Sequence, residues 1–220
     1  MTILITAPDG TKIVCDPYNL VFGFPYGLSP LPGDVTADAV TVSRAHVDHN
    51  NTAAFPGATV IEAPGEYQIG GMVKITGYQG FQGEEGLPDE AAPNVIFVIE
   101  VAGVKIVHLG DSAVVTDPSI VAAISDADFA LLNIDPYVIP WDEGMPFMDR
   151  IAARTIIPSH YSHAAAPPTG GLSQYVSLQS FLRRLRPDVI VVDGGETEID
   201  VPPDTPRQFV IMTPLFLASD

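Results

Sequence analysis

With one cysteine in 220 residues, Cys15, the chain has no means of closing an internal disulfide, so its stability rests on packing. Cys15 ends an apolar run and reads as a buried thiol. Basic residues are also scarce, 10 Lys and Arg against 27 Asp and Glu, for a net charge of −17. That field repels phosphate backbones and anionic lipid surfaces, which argues against nucleic acid and membranes as partners, while it attracts cations. Long apolar stretches are missing as well. Residues 95–99 and 189–192 are strand-sized and fall far short of a membrane span. The opening Met1-Thr2-Ile3-Leu4-Ile5-Thr6 lacks a basic leader and reads as a strand, so cytoplasm is the expected location. Neither a Gly-x-Gly-x-x-Gly turn, a phosphate-cradling Gly-x-x-x-x-Gly-Lys loop nor a Gly-x-Ser-x-Gly elbow occurs.

Hydrophobic residues make up 46%, enough for a sizeable core, and one domain over 1–220 is the expectation. Short β-type runs fill the first half, at 3–6, 11–15, 39–43, 58–61, 72–76, 94–101 and 105–108, with Gly and Pro turns between them. The second half alternates helix and strand. Helices are expected at 118–124, where Asp117 caps and Pro118 takes the first position, and at 146–154 and 173–185. Strands are expected at 129–133, 155–157, 189–192 and 208–213. Hairpins followed by strand–helix alternation fit an α/β (α+β) chain with two face-to-face sheets and helices outside. Two long connectors, at 18–34 (rich in Pro and Gly) and 82–93 (acidic), have the length of pocket walls.

The chemistry concentrates at strand ends. Arg44-Ala45-His46-Val47-Asp48-His49 puts two imidazoles and a carboxylate within four positions, a donor set suited to zinc and related metals. Val107-His108-Leu109-Gly110-Asp111 ends a second strand in a carboxylate, and Pro158-Ser159-His160-Tyr161 ends a third in a histidine. Asp16 opens a turn after a strand and is placed to orient a ligand histidine. His108 reads as a structural residue or one that supports a ligand, His163 as a solvated loop residue or part of a pocket lining, and Arg183, Arg184 and Arg186 as a solvated helix end. Tyr161 and Trp141 read as pocket wall or core, and nothing fixes the acidic Glu62 and Glu66 near the metal.

Together these segments, with Asp16-Pro17-Tyr18 and Pro64-Gly65-Glu66-Tyr67, resemble the metallo-β-lactamase superfamily. Within it the likeness is to the small bacterial metal-dependent hydrolases that include ascorbate-6-phosphate lactonase. The resemblance covers nearly the whole chain and implies a four-layer αββα sandwich. It also implies metal-ligand roles: His46 for a first metal, Asp48, His49 and His160 for a second, and Asp111 as the bridging carboxylate. The family's first motif reads His-x-His-x-Asp-His, but here Arg44 stands at its first histidine, and Gln82 falls where the third imidazole of the first metal is expected. A guanidinium has no lone pair to donate and carries its charge into that position. The first metal is therefore expected to be absent and the second retained.

The function expected is a mononuclear metal-dependent hydrolase that uses metal-activated water on an ester, lactone, amide or phosphoester of a small molecule. One divalent ion is implied, zinc first and manganese or iron otherwise. Asp111 would position or deprotonate the water, and Arg44 would hold substrate charge. The alternative is a catalytically inactive member of the fold in which Arg44 pairs with Asp48 or Asp111 and replaces metal, serving ligand or partner binding. Homo-oligomerisation is left open.

Overall fold

The computed structural model describes residues 2–19, 31, 33–83, 92–161, 177–193 and 204–212. Most of the 18–34 connector, the acidic part of 82–93, His163 and the first residues of the expected 173–185 helix lie outside them.

Strands β1 (Ile3–Thr6), β2 (Lys12–Cys15), β3 (Ala39–Thr41) and β4 (Thr59–Ile61) form a four-stranded sheet in that order. β1 and β2 pair antiparallel, whereas β2, β3 and β4 run parallel. An eight-stranded sheet has the order β11-β12-β10-β9-β8-β7-β6-β5. Its strands are β5 (Gly65–Ile69), β6 (Val73–Phe81), β7 (Pro93–Val101), β8 (Val104–His108), β9 (Phe129–Asn133), β10 (Thr155–Ser159), β11 (Ile190–Asp193) and β12 (Gln208–Ile211). From β5 to β8 neighbours are antiparallel; from β8 through β9 and β10 to β12 and β11 they are parallel.

Strand alternation divides the core. Ile13, Cys15, Ala39 and Ile61 of the small sheet meet Val73, Ile75, Phe97 and Ile99 of the large one. The opposite face of the large sheet carries Ile96, Val98, Val107, Leu132 and Ile156. Helices α1 (Pro118–Ile124), α2 (Trp141–Ile151) and α3 (Leu178–Leu182) cover that face through Ile124, Phe147, Met148, Ile151 and Phe181. The outer face of the small sheet packs Val14 and Val40 under Phe55, beside a 3-10 turn at Thr52–Ala54.

The expected helix at 146–154 starts earlier, at Trp141. Pro146 therefore lies inside it rather than at its start. The bond Pro146 cannot donate would have gone to the Asp142 carbonyl, and both residues lie on the exposed side, where water serves that carbonyl. α1 matches its expected range, and Asp117 caps it by accepting from the Ser119 and Ile120 N–H groups. β6 runs on through Gly77 and Gly80 to Phe81, five residues beyond the expected stop at 76. A Cβ on Gly77 would come within 2.9 Å of the Ala63 carbonyl, so the glycine admits a close backbone approach within a continuing strand. Gly65-Glu66-Tyr67 lies in β5, which pairs with β6, and Glu66 forms an exposed ion pair with Lys74.

Candidate metal centre

The C-terminal ends of β2 and β3 in one sheet, and of β8, β9 and β10 in the other, carry the chemistry-bearing side chains. Asp16 follows β2 with φ 46°, a left-handed turn that asparagine and aspartate tolerate better than most residues. Its buried carboxylate accepts from Ser43 twice, from the backbone N–H at 2.7 Å and the hydroxyl at 2.5 Å. The same carboxylate lies 2.7 Å from His49 Nδ1. The ring's orientation is thereby fixed, and Nε2 faces the opposite way.

At that Nε2 the strand ends converge. Asp48, His49 and His160 each offer a donor atom, and these atoms lie within 4.8 Å of one another. Asp48 Oδ2 stands 3.5 Å from His49 Nε2. Asp111, on the turn after β8, puts Oδ2 3.3 Å from His49 Nε2 and Oδ1 3.1 Å from His160 Nε2. The 3.3 Å approach is misaligned for a hydrogen bond, so the buried His49 Nε2 has no hydrogen-bond partner among the described residues. An imidazole nitrogen without a hydrogen-bond partner, facing two carboxylates and a second imidazole, fits a bound cation, which would take the place of the proton there. Arg44 completes the surroundings, its Nη1 3.3 Å from Asp111 Oδ2.

Burial and charge pull in opposite directions across the centre. Burial resists charging His49, yet the Asp111 and Asp16 carboxylates outweigh it and lift its pKa to about 9. Burial pushes Asp16 up, but His108 and His49 more than offset it and hold the carboxyl at about 2. Asp111 is likewise held well below the usual carboxylate range, because His160 and His49 overcome its burial. Burial alone dominates at His108 and lowers it to about 4, and it also lowers His160.

Among the sequence candidates, Asp48, His49, Asp111 and His160 come together. His46 does not join them: its imidazole is 42% exposed and pairs with Asp48 Oδ1 through Nδ1. Gln82 is buried, and its Oε1 has no hydrogen-bond partner among the described residues. The following Gly83 lies against Ala113 and the Val138 carbonyl, placing this segment beside the Asp111 turn. His108 is buried at the end of β8, 3.6 Å from Asp16 Oδ2. Trp141 packs on the helix-side core, donates to the Ile134 carbonyl, and lies under Arg184 at 4.3 Å; Tyr161 packs on the same core. Sequence reasoning missed Asn94, Asn133 and Ser43. Asn94 accepts from the Asp111 N–H and donates to the Leu109 carbonyl, while Asn133 donates to Asp111 Oδ1. Their one sequence signal is a polar side chain at the end of an otherwise apolar strand run.

Two packed sheets with a donor cluster at one edge define the class, and the family comparison agrees: the model for the beta-lactamase superfamily domain matches residues 1–160, and the chain belongs to that superfamily. A UPF0173 metal-dependent hydrolase of Rubrobacter xylanophilus is 28% identical over 191 residues, 73% of this chain and 78% of the relative. One from Thermus thermophilus is 26% identical over 186 residues, covering 73% and 80%. A metallo-beta-lactamase superfamily structure from Thermotoga maritima, assigned as a Zn-dependent hydrolase, superposes with a TM-score of 0.68 at 28% identity and covers 96% of this chain and 93% of that one. The metallo-beta-lactamase fold protein YhfI of Bacillus subtilis shares the fold, with a TM-score of 0.57 at 12% identity over 96% and 88% of the two chains. Among the described residues no helix is long and apolar enough to cross a membrane.

Proposed function

We propose that this chain is a metal-dependent hydrolase holding one divalent ion, zinc or else manganese or iron, among Asp48, His49, Asp111 and His160. The observation that carries this reading is the mutual approach of the Asp48, His49 and His160 donor atoms around an unpaired, buried His49 Nε2. The names of the UPF0173 relatives point the same way. When bound, such an ion supplies Lewis acidity and lowers the pKa of water toward neutrality. The chain's own residues do the rest. Asp16 fixes the His49 ring and with it the direction of the free nitrogen. Asp111, an ionised carboxylate near both imidazoles, orients the attacking water rather than deprotonating it, since a strongly acidic carboxyl is a poor base. Arg44 occupies the place of the first metal's imidazole and presents a permanent cation to a negatively charged substrate group or to charge developing during attack. The substrate is a small molecule with an ester, lactone, amide or phosphoester bond, a phosphorylated sugar-like lactone among them, and the setting is cytoplasmic. Metal analysis is expected to give one ion per chain. His160→Ala is expected to lose that ion and at least 100-fold of turnover on generic ester or phosphoester substrates. A wild-type chain that takes up no transition metal rules the reading out.

The 3.3 Å contact between Arg44 and Asp111 favours a second reading, a non-catalytic member of the fold in which the guanidinium stands in for metal and the pocket binds a ligand or partner. Under that reading metal content is nil, and Arg44→Ala unfolds or loosens the centre. Under the first, Arg44→Ala tightens metal binding by removing a competing cation.

A further inference from the structure

Asp111 is gripped from two sides by carboxamides. Its backbone N–H donates to Asn94 Oδ1 at 3.0 Å, and Asn94 Nδ2 donates to the Leu109 carbonyl at 3.0 Å, so one fully buried side chain spans the Leu109–Asp111 turn. Asn133, the last residue of β9 and 1% exposed, reaches the carboxylate itself, with Nδ2 3.1 Å from Oδ1. The Asn133 amide has one workable orientation, because its Oδ1 accepts the Asp135 N–H at 2.8 Å and a flipped amide would set donor against donor. Asp135 Oδ1 in turn accepts the Tyr137 N–H at 3.0 Å, so the β9–α2 loop holds the amide in place.

An aspartate carboxylate rotates about a soft terminal torsion and needs outside contacts to fix its plane. Besides the two imidazoles that would share an ion with it, Arg44 meets Oδ2 and Asn133 meets Oδ1. They differ in one respect that matters for a cation site. Arg44 brings a positive charge that competes with the ion, whereas Asn133 brings a neutral donor that leaves the full negative charge of Asp111 available. Asn133 Nδ2 and His160 Nε2 share the same oxygen, each at 3.1 Å, so the amide aligns Asp111 with the imidazole that must bind beside it.

We infer that Asn133 is a positioning residue for the metal centre, setting the Asp111 carboxylate plane for joint coordination with His160 without neutralising it. The inference rests on the metal-binding reading above. Metal affinity is to be measured by competition against a chromophoric zinc chelator, and coordination by the visible spectrum of the cobalt(II)-loaded full chain, for wild type, Asn133→Leu, Asn133→Ser and Arg44→Ala. Asn133→Leu keeps the volume and removes the donor; Asn133→Ser keeps a shorter donor. The expected result is a loss of about 10–100-fold in affinity for Asn133→Leu with a shifted cobalt spectrum, a smaller loss for Asn133→Ser, and a gain for Arg44→Ala. Circular dichroism of the metal-free proteins checks folding, and if Asn133→Leu fails to fold, Asn133→Ser carries the test alone. Folded Asn133 variants with wild-type affinity and an unchanged cobalt spectrum overturn the inference and leave the metal site standing. A wild-type chain that binds neither ion fells the metal-binding reading first, and this inference with it.

Discussion

His49 and His108 both approach Asp16 Oδ2, at 2.7 and 3.6 Å, yet titrate in opposite directions, so the metal-free protein is expected to show a bell-shaped stability profile. His49 is raised from 6.5 to about 9, so the stability from its proton is complete below pH 6.5 and drains away as the pH climbs through 9. His108 is lowered to about 4, so between pH 6.5 and 4 the unfolded chain takes up a proton that the folded one refuses, and stability falls on acidification. Thermal melts of chelator-treated protein are expected to peak near neutral pH and decline on both sides. Metal uptake must displace the His49 proton below about pH 9, so affinity rises with pH up to that point and loading releases protons, which a weakly buffered titration detects. Asp16→Asn is expected to weaken metal binding about 10–100-fold by removing the partner that fixes His49. The candidate donors that the structure brings together were legible because each lies in a polar segment that follows an apolar strand, and strand ends of parallel segments share an edge. Asn94 and Asn133 were not readable, since no spacing rule ties an amide on β7 or β9 to a carboxylate after β8. The exposed position of His46 was also hidden: its pairing with Asp48 depends on the fold of one turn. Restoring imidazoles with Arg44→His and Gln82→His together is expected to add a second ion per chain, measured by elemental analysis. No gain would mean that Gln82 does not hold the position assigned to it.

At the scale of elements, the turn between β8 and Asp111 sets the geometry. Gly110 has φ 57°, and a Cβ there would drive into Ser43 and the Asn94 side chain, two groups that hold Asp16 and Asp111. Gly110→Ala combines left-handed strain with this clash and is expected to cost about 2 kcal/mol or more, several degrees of melting temperature in a chain of this size. α2 offers a change of opposite sign. Pro146→Ala returns the missing N–H to an exposed helix interior and is expected to raise the melting temperature, within a ceiling of about 3 kcal/mol. Strand positions were legible from alternation and apolar runs, and α1 from its Asp-Pro start. The α2 start was not, because proline more often opens a helix than sits on its wet face. The full length of β6 was also hidden, since Gly77 and Gly80 look like turn residues until the backbone approaching them is known.

The molecule as a whole carries a net charge of −17, so its folded form works against self-repulsion. Raising ionic strength from about 10 mM, where the screening length is roughly 30 Å, to about 150 mM, where it is roughly 8 Å, is expected to raise the melting temperature of the metal-free protein. The two-sheet architecture was legible as hairpins followed by strand–helix alternation. The sheet order was not, because β11 lies outside β12 through pairing that local pattern does not encode.

The donors come from both sheets: Asp48 and His49 follow β3 of the smaller, Asp111 and His160 follow β8 and β10 of the larger. An ion shared among them would add a rivet at a rim where the two sheets already meet through the Val95 N–H to Ser43 carbonyl bond and the Arg44–Asp111 pair, above the apolar contacts of Ile13, Ile61, Ile75 and Phe97. Stripping the ion should unzip that rim first. Amide exchange would then quicken at the tips of β3, β8 and β10 in the same experiment, while the opposite rim, beyond Val73 and Val101, keeps its protection.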